Sequence, residues 1–231
     1  MQLRDDVNMD ETGFSGVYTK GNKRRSRLYT RALTEKPLFE EELINERGSC
    51  FRFFDCRRSK LAAAVAKGLK GDHIKHGSAV LYLGASHGYT VSFVSDIIGE
   101  NGIIFALDFA PRVVRDLMIK VAAARSNIAP ILADASRPEE YYHAVLAADL
   151  LYQDVAQKNQ LEIFLKNVKL FLKNNGIAML ALKARSIDVR RDPKRVFSET
   201  KIRLETELRV INYMRLEPYE LDHGFFVCKK P

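Results

Sequence analysis

The sequence predicts an α/β protein: an open, doubly wound and mostly parallel sheet, preceded by a small β module. Three observations carry this reading. Between residues 79 and 205, short apolar runs alternate with helix-length segments, the pattern of successive βαβ units. The apolar runs are nearly continuous instead of alternating with polar residues, so these strands are expected to be buried on both faces. Residues 14–54 have a different texture, with short β-prone segments separated by Gly, Asn and Pro.

In chain order, Phe14-Ser15-Gly16-Val17-Tyr18 and Ser49-Cys50-Phe51-Arg52-Phe53-Phe54 are the strand-like segments of the β module. We place the module at residues 1–55 and the main domain at 56–231. Ser59 is suited to cap a helix over 60–69, where strong helix formers precede Gly68. Strands are expected at 79–83, 103–107 and 128–132, alternating with helices at 90–98 and 111–124. A strand at 148–152, a helix at 160–173, a strand at 177–182 and a charged helix at 193–205 continue the pattern. The final strands, 208–216 and 224–229, have no helix-length segment between them and should pair antiparallel.

Composition narrows the function classes. The chain has 37 Lys and Arg against 29 Asp and Glu, a net charge of +8, which suits a partner carrying phosphates. Cys50, Cys56 and Cys228 are odd in number and have no CxxC spacing, which fits a reducing cytoplasm better than a disulfide framework. Residues 1–20 carry Asp5, Asp6, Asp10 and Glu11 and no apolar stretch, so neither a secretory leader nor a membrane span is expected. Two basic stretches, Lys23, Arg24, Arg25, Arg27 and Arg185, Arg190, Arg191, Lys194, Arg195, bring charge without a base-reading motif. They are candidate contacts to RNA phosphates; a solvated hairpin tip is the alternative for the first.

The chemistry is expected at the strand ends, where open α/β sheets bind ligands. Directly after the first core strand comes Gly84-Ala85-Ser86-His87-Gly88-Tyr89-Thr90, whose small residues admit close backbone approach and whose following helix offers its N-terminus. Its Gly-x-x-x-Gly spacing is not the dinucleotide fingerprint, which argues against a nicotinamide enzyme. Asp108 ends the next strand, where an acid can accept from the two hydroxyls of an adenosyl ribose. Asp134-Ala135 and Asp154-Val155-Ala156-Gln157 follow later strands. Each acid alone could be a helix cap; three in consecutive units after a Gly-rich turn are harder to explain that way.

Six segments in order give the sequence a family likeness. Arg58-Ser59-Lys60-Leu61-Ala62-Ala63, Leu81-Tyr82-Leu83-Gly84-Ala85, Val94-Ser95-Asp96-Ile97-Ile98-Gly99, Asp154-Val155-Ala156-Gln157, Lys183-Ala184-Arg185-Ser186-Ile187-Asp188 and Pro218-Tyr219-Glu220-Leu221-Asp222-His223 resemble fibrillarin, particularly its archaeal form, which lacks the Gly/Arg-rich tail. The resemblance runs from about residue 17 to the C-terminus. It implies a seven-stranded S-adenosylmethionine-dependent methyltransferase fold of Rossmann-like type with a small N-terminal β domain. It also implies methylation of ribose 2′-hydroxyls in rRNA, and in tRNA, chosen by a box C/D guide RNA. The implied partners are that guide, the target RNA, a Nop-family scaffold protein and a kink-turn-binding protein. The resemblance points to Gly84, Ala85, Thr90, Asp108, Phe109, Asp134, Ala135, Asp154 and Gln157 for the cofactor, and to Lys60, Asp154, Lys183 and His223 as the catalytic group; no metal is implied.

Those residue types make chemical sense. A sulfonium methyl is already electrophilic, so the enzyme mainly aligns a weak hydroxyl nucleophile and helps remove its proton. A lysine sequestered near the sulfonium and a second lysine would have its pKa lowered, and Lys183 is assigned that role, held by Asp154. Lys60 would contact substrate and His223 would complete the group. Without the resemblance, Lys60 reads as a surface lysine, Lys183 as a strand end in solvent and His223 as a partner of a nearby carboxylate. The chain departs from the family in three places. Ser86, His87 and Tyr89 enter the cofactor turn, where two bulky rings could crowd a ligand; Trp is absent from the segment before Lys60; and Asp108 stands where Glu is commoner. The rival functions are a non-catalytic structural subunit of the same kind of complex, with cofactor binding lost through His87 and Tyr89, and a stand-alone RNA methyltransferase.

Overall fold

The structure, a computed structural model, describes residues 9–21 and 26–231. Lys23, Arg24 and Arg25 of the first basic stretch lie outside the described residues. The N-terminal strands are β1 (Asp10–Glu11), β2 (Val17–Lys20), β3 (Arg27–Arg31), β4 (Leu43–Glu46) and β5 (Ser49–Phe53). Then come α1 (Lys60–Ala66), β6 (Ala79–Leu83), α2 (Tyr89–Ile98), β7 (Ile103–Asp108), α3 (Pro111–Lys120) and β8 (Ile128–Leu132). The chain ends with β9 (Ala148–Gln153), α4 (Gln160–Phe171), β10 (Leu172–Lys183), α5 (Ala184–Ile187), α6 (Pro193–Glu205), β11 (Arg209–Arg215) and β12 (His223–Lys229).

The first five strands form one antiparallel sheet in the order β1-β2-β3-β5-β4, and the remaining seven form a second in the order β11-β12-β10-β9-β6-β7-β8. In the large sheet β8, β7, β6, β9 and β10 run parallel, and β12 and β11 add antiparallel at one side. From β6 the chain winds outward through β7 and β8, then returns to the other side of β6 for β9 and β10. The order therefore reverses between β6 and β9. At such a switch point the loops leaving neighbouring strands part in opposite directions and open a crevice. The residues that follow these two strands are Gly84 and Asp154.

Apolar strands are buried on both faces, as their continuous hydrophobic runs require. One core cluster joins α1, α2 and α3 to the sheet and includes Phe14, Val17 and Phe54 from the N-terminal segment. The other joins α4 and α6 to the opposite face. A buried ion network reinforces the junction between the sheets. Arg52 on β5 meets Glu41 at 2.6 Å and Asp96 on α2 at 2.7 Å, with all three side chains at most 1% exposed.

The structure corrects several expected boundaries. Phe14 makes only an isolated bridge to Gly71, and the strand begins at Val17. The expected helix over 111–124 stops at Lys120 and passes into a 3₁₀ turn over Ala122–Ala124. Helix α4 gives way at Leu172 to strand β10, which carries a register irregularity before Ile177. The main-domain strands and α6 otherwise lie within a residue or so of their expected limits.

Candidate active site

The cradle begins with Gly84. Its φ is +81°, and a Cβ there would come within 2.3 Å of the Asp154 carbonyl oxygen, so only glycine lets the two loops of the switch point approach this closely. Asp108, ending β7, holds the same turn from the other side. Its two carboxylate oxygens accept from the Ser86 backbone N–H at 2.9 Å and from the Ala110 N–H at 3.1 Å. Gly84, Ser86, Leu107, Asp108, Phe109, Ala135, Asp154, Val155, Ala156 and Gln157 line a cavity of about 350 Å³. Its walls are mostly apolar, with Asp108, Asp154, Ser86 and Gln157 as the polar side chains, and Phe109 in the lining is 66% exposed. Asp134 lies beside this cavity and not in its lining. It accepts from the Ser136 N–H at 2.8 Å, which holds its carboxyl below the usual range.

A second cavity, of about 450 Å³, shares Gly84, Ser86 and Asp154 with the first and extends toward the N-terminal sheet through Lys60, Ala85, Thr90 and Phe39. Lys60 is the first residue of α1. Ser59 caps that helix by accepting from the Ala62 N–H at 3.3 Å and also accepts from the Thr90 hydroxyl at 3.0 Å, tying the start of α1 to the start of α2. This fixes where the Lys60 side chain emerges. Its Nζ lies 2.8 Å from Asp154 Oδ2. Burial opposes the ammonium charge, but the Asp154 carboxylate outweighs it and holds Lys60 above the ordinary lysine value.

His223 opens β12 and is 6% exposed. Its Nδ1–H donates to the Leu221 carbonyl at 2.8 Å, which leaves Nε2 as an acceptor. Burial, reinforced by the positive charge of Lys60, holds the imidazole below its ordinary pKa, so it is neutral near pH 7. Lys183 stands directly opposite His223 in the β10–β12 ladder.

Here the structure corrects the expected pairing. The carboxylate of Asp154 holds Lys60 and not Lys183. The reason is register: β10 last pairs with β9 at Leu180 opposite Gln153, then runs on to Lys183, whose side chain is exposed and not sequestered. Gln160 secures that strand end, accepting from the Lys183 N–H at 3.0 Å and donating to its carbonyl at 3.1 Å. Gln160 was not legible as a site residue, because nothing in a helix-starting glutamine signals that it clamps a distant strand.

The two rings that depart from the family pattern do not enter the first cavity. His87 is exposed and lies 3.6 Å from Asp116 on α3. Tyr89 turns toward the N-terminal sheet. Its hydroxyl accepts from the Asp55 N–H at 3.3 Å and its ring meets Phe39 edge-on at 5.4 Å between centroids. It thus fills the junction in a chain without Trp.

Among the basic residues, Arg27 pairs with Glu42 at 2.7 Å and Arg185 with Asp222 at 3.1 Å, while Arg191 and Arg195 share Glu199. The described residues contain no group of three or more His, Cys, Asp or Glu arranged to hold a metal ion, and no helix among them is long and apolar enough to cross a membrane.

The fibrillarin family profile matches residues 9–231. A fibrillarin-like rRNA/tRNA 2′-O-methyltransferase of Thermococcus onnurineus is 44% identical over 220 residues, covering 94% of this chain and 97% of that protein. The Methanococcus jannaschii fibrillarin pre-rRNA processing protein superposes with a TM-score of 0.92 at 42% identity, over 98% of each chain. Aeropyrum pernix fibrillarin, solved with natively bound S-adenosyl-L-methionine, gives a TM-score of 0.86 at 38% identity, over 96% of this chain and 98% of that one. The fibrillarin chain of a fibrillarin/Nop5p complex gives 0.87 at 34% identity, over 96% of this chain and all of that one. Sequence, sheet order and the cleft at the switch point agree, and the chain belongs to the fibrillarin family.

Proposed function

We propose that this chain is an S-adenosylmethionine-dependent RNA ribose 2′-O-methyltransferase acting on rRNA and tRNA as the catalytic subunit of a box C/D guide ribonucleoprotein. The observation that carries the reading is the pair of cavities meeting at Gly84 and Asp154, one shaped for a nucleoside and the other holding the Lys60–Asp154 pair. The residues present fit the cofactor. A Cβ at Gly84 would fill the cradle, Asp108 keeps acceptor capacity for ribose hydroxyls after its two backbone bonds, and Phe109 offers an exposed ring for the base. Ala135 and Gln157 would complete its walls, with Asp134 and the Ala85–Thr90 turn behind them.

When bound, the cofactor supplies an electrophilic methyl on a sulfonium, so the protein supplies alignment and a destination for the proton. Lys60, charged and fixed by Asp154, orients the 2′-hydroxyl and the adjoining backbone. Lys183, projecting from the neighbouring strand end, steers the same hydroxyl. The neutral His223 imidazole, directly across the ladder, accepts the released proton at Nε2, which makes no hydrogen bond within the described residues.

The similarity to a fibrillarin solved with Nop5p supports a Nop-family scaffold as a partner. The net charge of +8 is consistent with guide and target RNA, with a kink-turn-binding protein completing the particle in the cytoplasm of an archaeal-type cell. The test is calorimetric titration with S-adenosylmethionine, then single-turnover methylation of a guided RNA with and without scaffold. Micromolar binding and guide-dependent transfer are expected. Absence of transfer with cofactor bound and the complex assembled would favour the structural-subunit reading, and guide-independent transfer the stand-alone one.

A further inference from the structure

The second cavity has a feature that cofactor binding does not use. Beyond the Lys60–Asp154 pair its wall is formed by Phe39, Arg58 and Tyr89, with Lys120 from the end of α3 also in the lining. The Arg58 guanidinium carbon sits 4.1 Å from the centroid of the Tyr89 ring, and one of its nitrogens donates to the Phe39 carbonyl at 3.4 Å. Phe39 in turn packs edge-on against Tyr89. The guanidinium is therefore held over an aromatic ring at the cavity wall while its side chain remains exposed. No ion pair to Arg58 or Lys120 is found among the described residues. The one carboxylate in the lining, Asp154, is taken by Lys60.

A lobe with two uncompensated cations beside a methyl-transfer centre repels a sulfonium and attracts a polyanion. We propose that Arg58 and Lys120 form a phosphate subsite for the target strand, taking the phosphodiester next to the ribose that is methylated, and that Tyr89 is a positioning residue that holds the Arg58 guanidinium at the cavity wall for this contact. The proposal rests on the methyltransferase reading above and deepens it by naming where the substrate backbone lies. Planar guanidinium suits a phosphate by paired N–H···O bonds, and an exposed lysine opposite it supplies a point charge.

The test uses the assembled guide complex and compares the parent with Arg58→Gln, Arg58→Lys, Lys120→Gln and Tyr89→Thr. Three quantities are read: target-RNA affinity across a salt series, S-adenosylmethionine affinity, and single-turnover rate at saturating RNA. Arg58→Gln and Lys120→Gln are expected to weaken target binding about tenfold, each lowering the salt slope by about one, with cofactor affinity unchanged within about twofold. Arg58→Lys should recover the salt slope but only part of the affinity, because it restores charge without the planar fork. Tyr89→Thr should act like a milder Arg58→Gln, with little further loss when the two are combined. Lys120 is exposed at a helix end, so its variant reads the subsite even where the junction is perturbed. Unchanged RNA affinity and salt slope in both Gln variants would overturn the subsite, as would a loss confined to cofactor affinity. A parent complex that binds target but transfers no methyl would instead overturn the methyltransferase reading, leaving the salt-slope comparison to judge the subsite independently.

Discussion

Lys60 Nζ lies 2.8 Å from Asp154 Oδ2, so the ammonium at the start of α1 and the carboxylate after β9 form one unit at the floor of the cleft. Each is about one-fifth to one-quarter exposed, enough to reach a ligand and buried enough for the pairing to matter. The partners come from opposite sides of the site. The Ser59 cap, bound to Thr90, fixes the lysine's origin, and the Gly84 contact fixes the loop that carries Asp154.

Because the pair acts as a unit, Lys60→Met and Asp154→Asn should each lower single-turnover methylation by about 10²–10³-fold, and the double variant should cost little more than the worse single one. Lys183→Ala, which removes a steering charge and not the proton acceptor, should lower it by about 10²–10³-fold, with cofactor affinity within a few-fold. Its loss should add more nearly to that of Lys60→Met, since the described contacts do not pair Lys183 with Asp154. Full additivity between Lys60 and Asp154 would dissolve the unit, and wild-type turnover in Lys183→Ala would remove that residue from the reaction.

Asp108→Ala removes a charged acceptor from the cavity and also frees the Ser86 and Ala110 backbone N–H groups it holds. Cofactor affinity measured by calorimetry should fall about tenfold or more. Asp108→Asn, which keeps an acceptor oxygen, should fall less. Equal affinity in parent and Asp108→Ala would move the ribose site elsewhere.

The pH dependence follows from His223. Its pKa in the folded protein lies below the ordinary imidazole value, so the neutral form is favoured by folding. That contribution to stability is present above the unfolded histidine pKa of about 6.5 and is lost as pH falls through the folded value. If Nε2 takes the proton, the acid limb of the rate profile at saturating substrates should lie below the ordinary imidazole range and disappear in His223→Gln. Replacing Lys60 by Met removes the charge that assists this depression, so the residual activity should show its acid limb at higher pH. An acid limb that survives in His223→Gln would assign it to another group.

Much of the main domain was legible in the sequence because its signals are local. Continuous apolar runs fixed β6 and β8 to the residue, and Pro193 at the first helical position marked α6. The N-terminal sheet was less legible. Arg27–Arg31 and Leu43–Glu46 mix charge with apolar residues, and both are strands through their pairing, the first between β2 and β5 and the second with β5. In the site, Gly84, Asp108 and Asp154 were visible as strand-end residues. The Lys60–Asp154 partnership was not, since it depends on how far β10 overruns β9 and on a cap that ties α1 to α2. The role of Tyr89 was equally hidden: its place in the Gly-rich turn suggested interference with a ligand, whereas its ring faces the other sheet.

The joint between the two sheets sets this geometry. Arg52 on β5 contacts Glu41 and Asp96, donates to the Ser92 carbonyl and hydroxyl on α2, and lies 4.2 Å from the Phe93 ring. Asp96 is also held by Arg125, the Thr30 hydroxyl and the Leu33 N–H. Arg52→Met keeps much of the apolar volume but leaves the Glu41 carboxylate buried without its counter-charge, so the protein should lose about 3–5 kcal/mol of stability in urea unfolding near pH 7. The pH dependence separates charge from packing. Burial works against the Glu41 carboxylate, but Arg52 and the backbone N–H groups of Leu38 and Phe39 outweigh it and hold its pKa below the ordinary value. That stabilisation is present above the unfolded glutamate pKa of about 4.3 and is lost as pH falls through the folded value. In Arg52→Met burial is no longer opposed by the guanidinium, so the parent's loss of stability on acidification should shrink. A variant also carrying Glu41→Gln should regain part of the loss at pH 7, because the orphaned charge is gone. A deficit below about 1 kcal/mol in Arg52→Met, or no recovery in the double variant, would mean that the sheets are joined by apolar packing alone.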